Sequence, residues 1–300
     1  MSKIGNTPLI ELKKIEEEFN LYAKIFAKDE SKNQTGSIKD RAALYMINDA
    51  EERGIISKGA TIIEPTSGNT GIAISAICRD RGYKAIIVMP DSMSKERIEM
   101  MEQYGAEVIL TPGSLGMDGS IKKAEELNKN IENSFIPSQF TNPANIKSHY
   151  ETTGPEIIRD LNGKVDILVS GIGSGGTITG TGKYLKETNN EVKILAYEPE
   201  KSPLLSKGVA SSHGIQGVGA NFIPDLINEN SYDEIVLVSD EDAIKYEKIL
   251  GDIEGLKNGI SSGAALSVAI KEAQKEENKG KNIVVILPDS YDRYKSMNLF

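Results

Sequence analysis

Residues 166–177 read Asp166-Ile167-Leu168-Val169-Ser170-Gly171-Ile172-Gly173-Ser174-Gly175-Gly176-Thr177. A short β-branched run gives way to glycines and a hydroxyl, and these open an amphipathic stretch over 177–187: a strand, a loop and a helix. The same alternation extends in both directions. It predicts strands at 23–28, 61–64, 85–89, 107–111, 166–170, 193–198, 234–238 and 282–287. Helical patterns fall between most of them, at 40–53, 71–81, 95–104, 121–132, 177–187, 240–250 and 263–276. Such alternation builds parallel sheets with helices on both faces, an α/β protein. Ligands collect at the loops leaving the carboxyl ends of strands in these sheets. Two such loops are rich in glycine and hydroxyls: Thr66-Ser67-Gly68-Asn69-Thr70-Gly71, and Gly171 through Thr177.

The second loop formally matches Gly-x-Gly-x-x-Gly, and Glu198 ends the next strand about 22 residues on, where a dinucleotide-binding acid belongs. The physics common to all readings is narrower. Glycines let backbone N–H groups converge at a helix N-terminus, where a phosphate is stabilised without a basic side chain. Taken alone the loop leaves three readings open: a dinucleotide, another phosphate ligand, or a structural turn. Gly36-Ser37-Ile38-Lys39-Asp40-Arg41 stands at a loop-to-helix boundary. A cation there meets the positive end of the helix dipole, which lowers the amine's pKa and suits a nucleophile. A solvated surface lysine is the competing reading.

The 300 residues suffice for about two domains. With 35 Lys and Arg against 44 Asp and Glu, the net charge of −9 argues against nucleic acid or an anionic membrane as the main partner. One cysteine, Cys78, rules out a disulfide framework, and two histidines, His149 and His213, make an all-histidine metal site untenable, so no metal is expected. With no signal-like stretch and no apolar run long enough to span a membrane, a soluble cytoplasmic protein is expected. Cys78 lies on an apolar helical pattern and reads as packing, the two histidines as structural or surface residues. Met93, Met100 and Met101 read as core.

Five motifs then occur in order: Gly5-Asn6-Thr7-Pro8-Leu9, Gly36 through Arg41, Glu64-Pro65-Thr66-Ser67-Gly68-Asn69-Thr70-Gly71, Gly173-Ser174-Gly175-Gly176-Thr177, and Gly259-Ile260-Ser261-Ser262-Gly263. Together they closely resemble the cysteine synthase (O-acetylserine sulfhydrylase) and cystathionine β-synthase family of fold-type-II pyridoxal-phosphate enzymes. The resemblance implies a two-lobed α/β fold, tryptophan synthase β-like, with open twisted sheets and the cofactor wedged between the lobes. One lobe would span 36–144, with a mobile subdomain around 85–132. The other would combine 1–35 with 145–300, the chain crossing over near 139–145.

By resemblance, Lys39 is the Schiff-base lysine and the later proton carrier at Cα. Gly173, Ser174, Gly175, Gly176 and Thr177 would hold the cofactor phosphate, Asn69 its ring hydroxyl and Ser261 its pyridine nitrogen. Thr66, Ser67, Thr70 and Gln139 would take the substrate α-carboxylate. The implied activity is β-replacement via an aminoacrylate, first O-acetylserine plus sulfide giving cysteine and acetate. The alternative uses cysteine or serine as donor and releases hydrogen sulfide or forms lanthionine or cystathionine. The departure that bears on this choice is Asn221, where sulfhydrylases usually carry glycine and cystathionine β-synthases an aspartate. Its side chain would face the β-carbon. A homodimer and a docked serine acetyltransferase are further implications. A nicotinamide-nucleotide protein and an inactive docking relative are the distant alternatives.

Overall fold

The computed structural model describes residues 4–92 and 95–297; Met93 lies outside them. The strands are β1 (Leu9–Glu11), β2 (Lys24–Asp29), β3 (Thr61–Pro65), β4 (Lys84–Pro90), β5 (Glu107–Thr111), β6 (Ser134–Phe135), β7 (Ile167–Gly171), β8 (Lys193–Pro199), β9 (Glu234–Val238) and β10 (Asn282–Leu287). The α-helices are α1 (Lys13–Glu18), α2 (Lys39–Glu52), α3 (Asn69–Arg81), α4 (Lys95–Gln103), α5 (Gly116–Asn130), α6 (Pro143–Ser148), α7 (Gly154–Asp160), α8 (Gly176–Thr188), α9 (Leu204–Lys207), α10 (Asp240–Ile249) and α11 (Ile260–Ala273). The chain forms two units, Met1–Ile38 with Ile146–Phe300, and Lys39–Asn145.

The first unit is built on a six-stranded sheet in the order β1-β2-β10-β7-β8-β9. Every pairing is parallel except β1 with β2, which corrects the all-parallel expectation at one edge. The antiparallel edge has a simple cause: β1 and β2 are neighbours in sequence, and only parallel neighbours need a long crossover. Both faces of the central strands are covered, and the side chains divide by period two. Ile167 and Val169 face one core with Ile283, Val285 and Leu287, while Leu168 faces the other with Val284 and Ile286. Helix α11 runs through the first core, and all its residues except Lys271 are buried, as a helix apolar all round must be.

The second unit carries a four-stranded parallel sheet in the order β5-β4-β3-β6. Its chain leaves β3 through β4 and β5, then returns to the far side of β3 as β6. That reversal sets the loops after β3 and β6 side by side, the usual place for a ligand crevice. In the first unit the reversal lies between β7 and β10, so the loop after β7 is one of its two walls.

Candidate active site

At two positions around the loop after β7 there is no room for a side chain. A Cβ on Gly171 would lie 2.5 Å from Tyr197 Cζ, its register partner on β8. One on Gly175 would lie 2.5 Å from Ile227 Cγ1, and Gly175 holds φ +90, a conformation that favours glycine. Gly175 is also the N-cap of α8, and a glycine has no side chain to cap the first-turn N–H groups. An uncapped helix start behind bare backbone is a cradle for a phosphate. Gly173 through Thr177 are all here.

His149, read as structural or surface in the sequence, and Tyr197, which the sequence did not single out, support this loop. His149, buried in a single π-helical turn, places Nε2 3.3 Å from Thr177 Oγ1 and Nδ1 2.9 Å from Thr153 Oγ1. Tyr197, fully buried, donates its hydroxyl to the Ser261 carbonyl at 2.7 Å. Tyr197 thus ties the end of β7 to the start of α11, where Ser261 is the second residue and is buried. The sequence signal for Tyr197 is its place opposite a glycine, legible only once register is known.

Glu198 does not serve a ribose here. Its carboxylate accepts from Leu205 N–H and Ser206 N–H at 3.0 Å each, and from the Ser206 hydroxyl, folding the α9 turn back on the sheet. Asn221 is exposed, at a bend just after a segment held by two bonds. Gly219 N–H donates to Ile172 O at 3.0 Å, and His213 Nε2 donates to Gly219 O at 3.0 Å. The chain two residues before Asn221 is therefore tied to the glycine loop.

In the second unit, Lys39 is the first residue of α2 and is half-buried. Asn69 is the first residue of α3, whose N-cap Gly68 likewise offers no side-chain acceptor. Thr66 and Thr70 are buried, with Ser67 half-buried between them, and Thr66 Oγ1 accepts from Gly68 N–H at 3.3 Å. Gln139 arrives from the loop after β6, and Thr70 Oγ1 donates to its Oε1 at 2.6 Å. Hydroxyls, an amide and an uncapped helix start converge on a site for an anion with no lysine or arginine in the set. Cys78 is buried on α3 and its thiol is pushed up to about 12 by burial, so it stays a thiol. Met101 is buried, its Cε 2.7 Å from where a Gly71 Cβ would stand.

Among the described residues, no group of three or more His, Cys, Asp and Glu is placed to hold a metal, and no helix is long and apolar enough to cross a membrane.

Residues 1–289 match the family model described as pyridoxal-phosphate dependent enzyme. A cysteine synthase from Staphylococcus aureus (strain N315) is 46% identical over 298 residues, 99% of this chain and 95% of that protein. A crystal structure of cysteine synthase (OASS) from Entamoeba histolytica superposes with a TM-score of 0.95 at 42% identity, covering 99% of this chain and 89% of the other. A hydrogen sulfide-producing enzyme from Fusobacterium nucleatum gives a TM-score of 0.92 at 47% identity, covering 97% of each chain. The glycine-rich cradle at α8 fits the phosphate end of pyridoxal phosphate, and a buried serine suits its ring nitrogen.

Proposed function

This chain belongs to the pyridoxal-phosphate dependent enzyme family, and from that premise we propose that it catalyses β-replacement on a serine-type amino acid, O-acetylserine plus sulfide giving cysteine and acetate. The observation that carries the reading is the Thr70–Gln139 hydrogen bond, which closes a pocket of neutral donors on a site suited to an α-carboxylate. In this reading Lys39 anchors the cofactor through its amine, Asn69 hydrogen-bonds the ring hydroxyl, Ser261 meets the ring nitrogen, and Gly173, Ser174, Gly175, Gly176 and Thr177 hold the phosphate. Once bound, the cofactor supplies an electron sink for negative charge developing at the substrate Cα.

The chain's own residues do the rest. Thr66, Ser67, Thr70 and Gln139 hold the α-carboxylate, which fixes the Cα–H bond in one orientation. With its place on the cofactor given over to the substrate amine, Lys39 Nζ would be free to take the Cα proton, after which the Cβ–O bond breaks and acetate leaves. Sulfide then forms the Cβ–S bond, and Lys39 returns the proton to Cα. A neutral Ser261 hydroxyl, instead of a carboxylate, leaves the ring nitrogen largely unprotonated, which moderates the sink and favours loss of a β-group. Asn221 would meet the leaving group or the nucleophile.

A second reading is favoured by one observation, the 47% identity to a hydrogen sulfide-producing enzyme. In that case cysteine or serine is the donor: cysteine gives up its Cβ–S bond and releases sulfide, serine gives up its Cβ–O bond and releases water, and a thiol that adds at Cβ forms lanthionine or cystathionine. Visible absorption of the purified protein, before and after O-acetylserine, serine and cysteine added separately, tests both. A band that shifts with O-acetylserine alone supports the first reading. A shift with cysteine, accompanied by sulfide release, supports the second. Absence of a band after adding pyridoxal phosphate rejects both. The same proposal makes the protein a cytoplasmic homodimer able to dock serine acetyltransferase, to be checked by sedimentation with and without that partner.

A further inference from the structure

Glu64 is a buried carboxyl with no part in the mechanism above. It sits next to the last residue of β3, 2% exposed, at the point where the sheet reverses. Its neighbour β6 is short: the ladder pairs Thr61 with Ser134 and Ile62 with Phe135 and then stops. Continuing it would require Pro137 opposite Glu64, and proline has no N–H to give. The chain beyond instead turns at Ser138, whose φ of +58 is unusual for a residue with a side chain. Ordinary sheet bonding therefore does not hold the segment that carries Gln139.

The Glu64 side chain takes that place. Oε2 accepts from Ser138 N–H at 3.2 Å and Oε1 faces Gln139 N–H at 3.5 Å. Asn145 Nδ2 donates to the Gln139 carbonyl at 2.8 Å, so the backbone on both sides of Gln139 Cα is gripped by side chains. With the backbone so held, the Gln139 side chain reaches Thr70, whose hydroxyl occupies Oε1 and leaves the amide NH2 as the half that can donate to an anion. We propose that Glu64 is a positioning residue for the substrate α-carboxylate, holding Ser138 and Gln139 so that the pocket stands formed before the substrate arrives. This rests on Gln139 belonging to that pocket.

The choice of a carboxyl beside an anion site is consistent with its surroundings. Burial pushes its pKa up to about 7 while the two N–H donors pull it down, and no charged side chain contributes to the shift. A carboxyl so raised is held closer to its neutral form, which lessens its repulsion of an anion in the neighbouring pocket.

The holoenzyme carrying Glu64→Gln, Glu64→Asp or Gln139→Ala tests this. For Glu64→Gln, KM for the amino-acid substrate is expected to rise about tenfold, with kcat within about threefold and KM for sulfide unchanged. Calorimetric affinity for L-alanine, which has the α-carboxylate and no leaving group, is expected to fall by a similar factor. Cofactor content and the visible band should stay as in the parent. If Glu64→Gln does not fold, Glu64→Asp, one methylene shorter, is expected to show the same KM effect with faster amide hydrogen exchange at Ser138 and Gln139. Unchanged KM and L-alanine affinity in the Glu64 variants, with both altered in Gln139→Ala, would overturn the assignment and leave the pocket standing. Unchanged values in Gln139→Ala would instead overturn the pocket, and the role of Glu64 with it.

Discussion

Glu247 shows how one buried side chain can set the pH range of the fold. It is fully buried on α10, where Asn258 N–H donates to Oε1 at 2.9 Å. Burial pushes its pKa up to about 8, from an ordinary 4.5, and the nearby Asp289 carboxylate adds to the rise. Because the folded value is the higher one, folding takes up a proton between the two. Its contribution to stability is fully present below about pH 4.5 and is lost as pH rises through about 8. Glu247→Gln removes that titration. The stability of the parent minus that of the variant is expected to fall by on the order of 3 kcal/mol between pH 5 and pH 9, read by urea unfolding. A difference flat with pH would reject the assignment. At this scale the sequence told much about the site. Lys39 after Gly36-Ser37 and the hydroxyl run from Thr66 to Thr70 are chemically unusual in place. Tyr197 and His149 were not legible as site residues, because a tyrosine in a strand and a lone histidine gain meaning only from what stands opposite them.

Helix α8 carries two glycines two residues apart that the chain uses differently. A Cβ on Gly180 would stand 2.2 Å from the Ile146 carbonyl oxygen and 3.0 Å from Tyr150 N, backbone that cannot move aside cheaply. A Cβ on Gly182 would meet the Ile194 side chain first, at an ordinary 3.4 Å. Gly180→Ala is therefore expected to destabilise by about 1–3 kcal/mol through overpacking. Gly182→Ala is expected to be neutral or to stabilise by up to about 1 kcal/mol, because alanine is the better helix former. Urea midpoints of the two variants, both loaded with cofactor, compare them directly; equal midpoints would show that the close approach of α8 to residue 146 is not felt. The long strands were readable because both their faces are apolar and glycine or proline bounds them. β6 was not, since two residues show no period, and β1 has only three. Helix α7 was hidden by Gly154-Pro155, which reads as a break although proline is well tolerated in a first turn. Helix α5 begins at Gly116, before the expected 121, because Gly116 and Gly119 depress local helix propensity that the tertiary fold overrides.

At the scale of the whole molecule, the question is what closes a unit assembled from both ends of the chain. β2 lies between β1 and β10, and the ladder from Lys24–Asn282 to Asp29–Leu287 joins residues more than 250 positions apart. Backbone pairing alone does not fix the arm that precedes it. Lys28, fully buried, does so: its Nζ lies 2.7 Å from Glu156 Oε2 and 3.9 Å from Asp160 Oδ2 on α7, and donates to the Thr7 carbonyl at 2.6 Å. The other Glu156 oxygen accepts from Asn6 N–H at 2.9 Å, and Gly5 N–H donates to Asn33 Oδ1 at 2.8 Å. Gly5-Asn6-Thr7 thereby acquires a structural meaning: Gly5 and Asn6 both hold positive φ to bring their N–H groups to these acceptors. A buried pair contributes little net energy against an apolar replacement, yet removing one partner leaves an uncompensated charge. Lys28→Met is accordingly expected to cost about 3–5 kcal/mol and to expose residues 4–12 to proteolysis. Lys28→Met combined with Glu156→Gln, which keeps an acceptor for Asn6 without the charge, is expected to recover more than half of that loss. If the double variant is as unstable as the sum of the single ones, the arm is held by shape and hydrogen bonds, and the charge pairing at Lys28 is incidental.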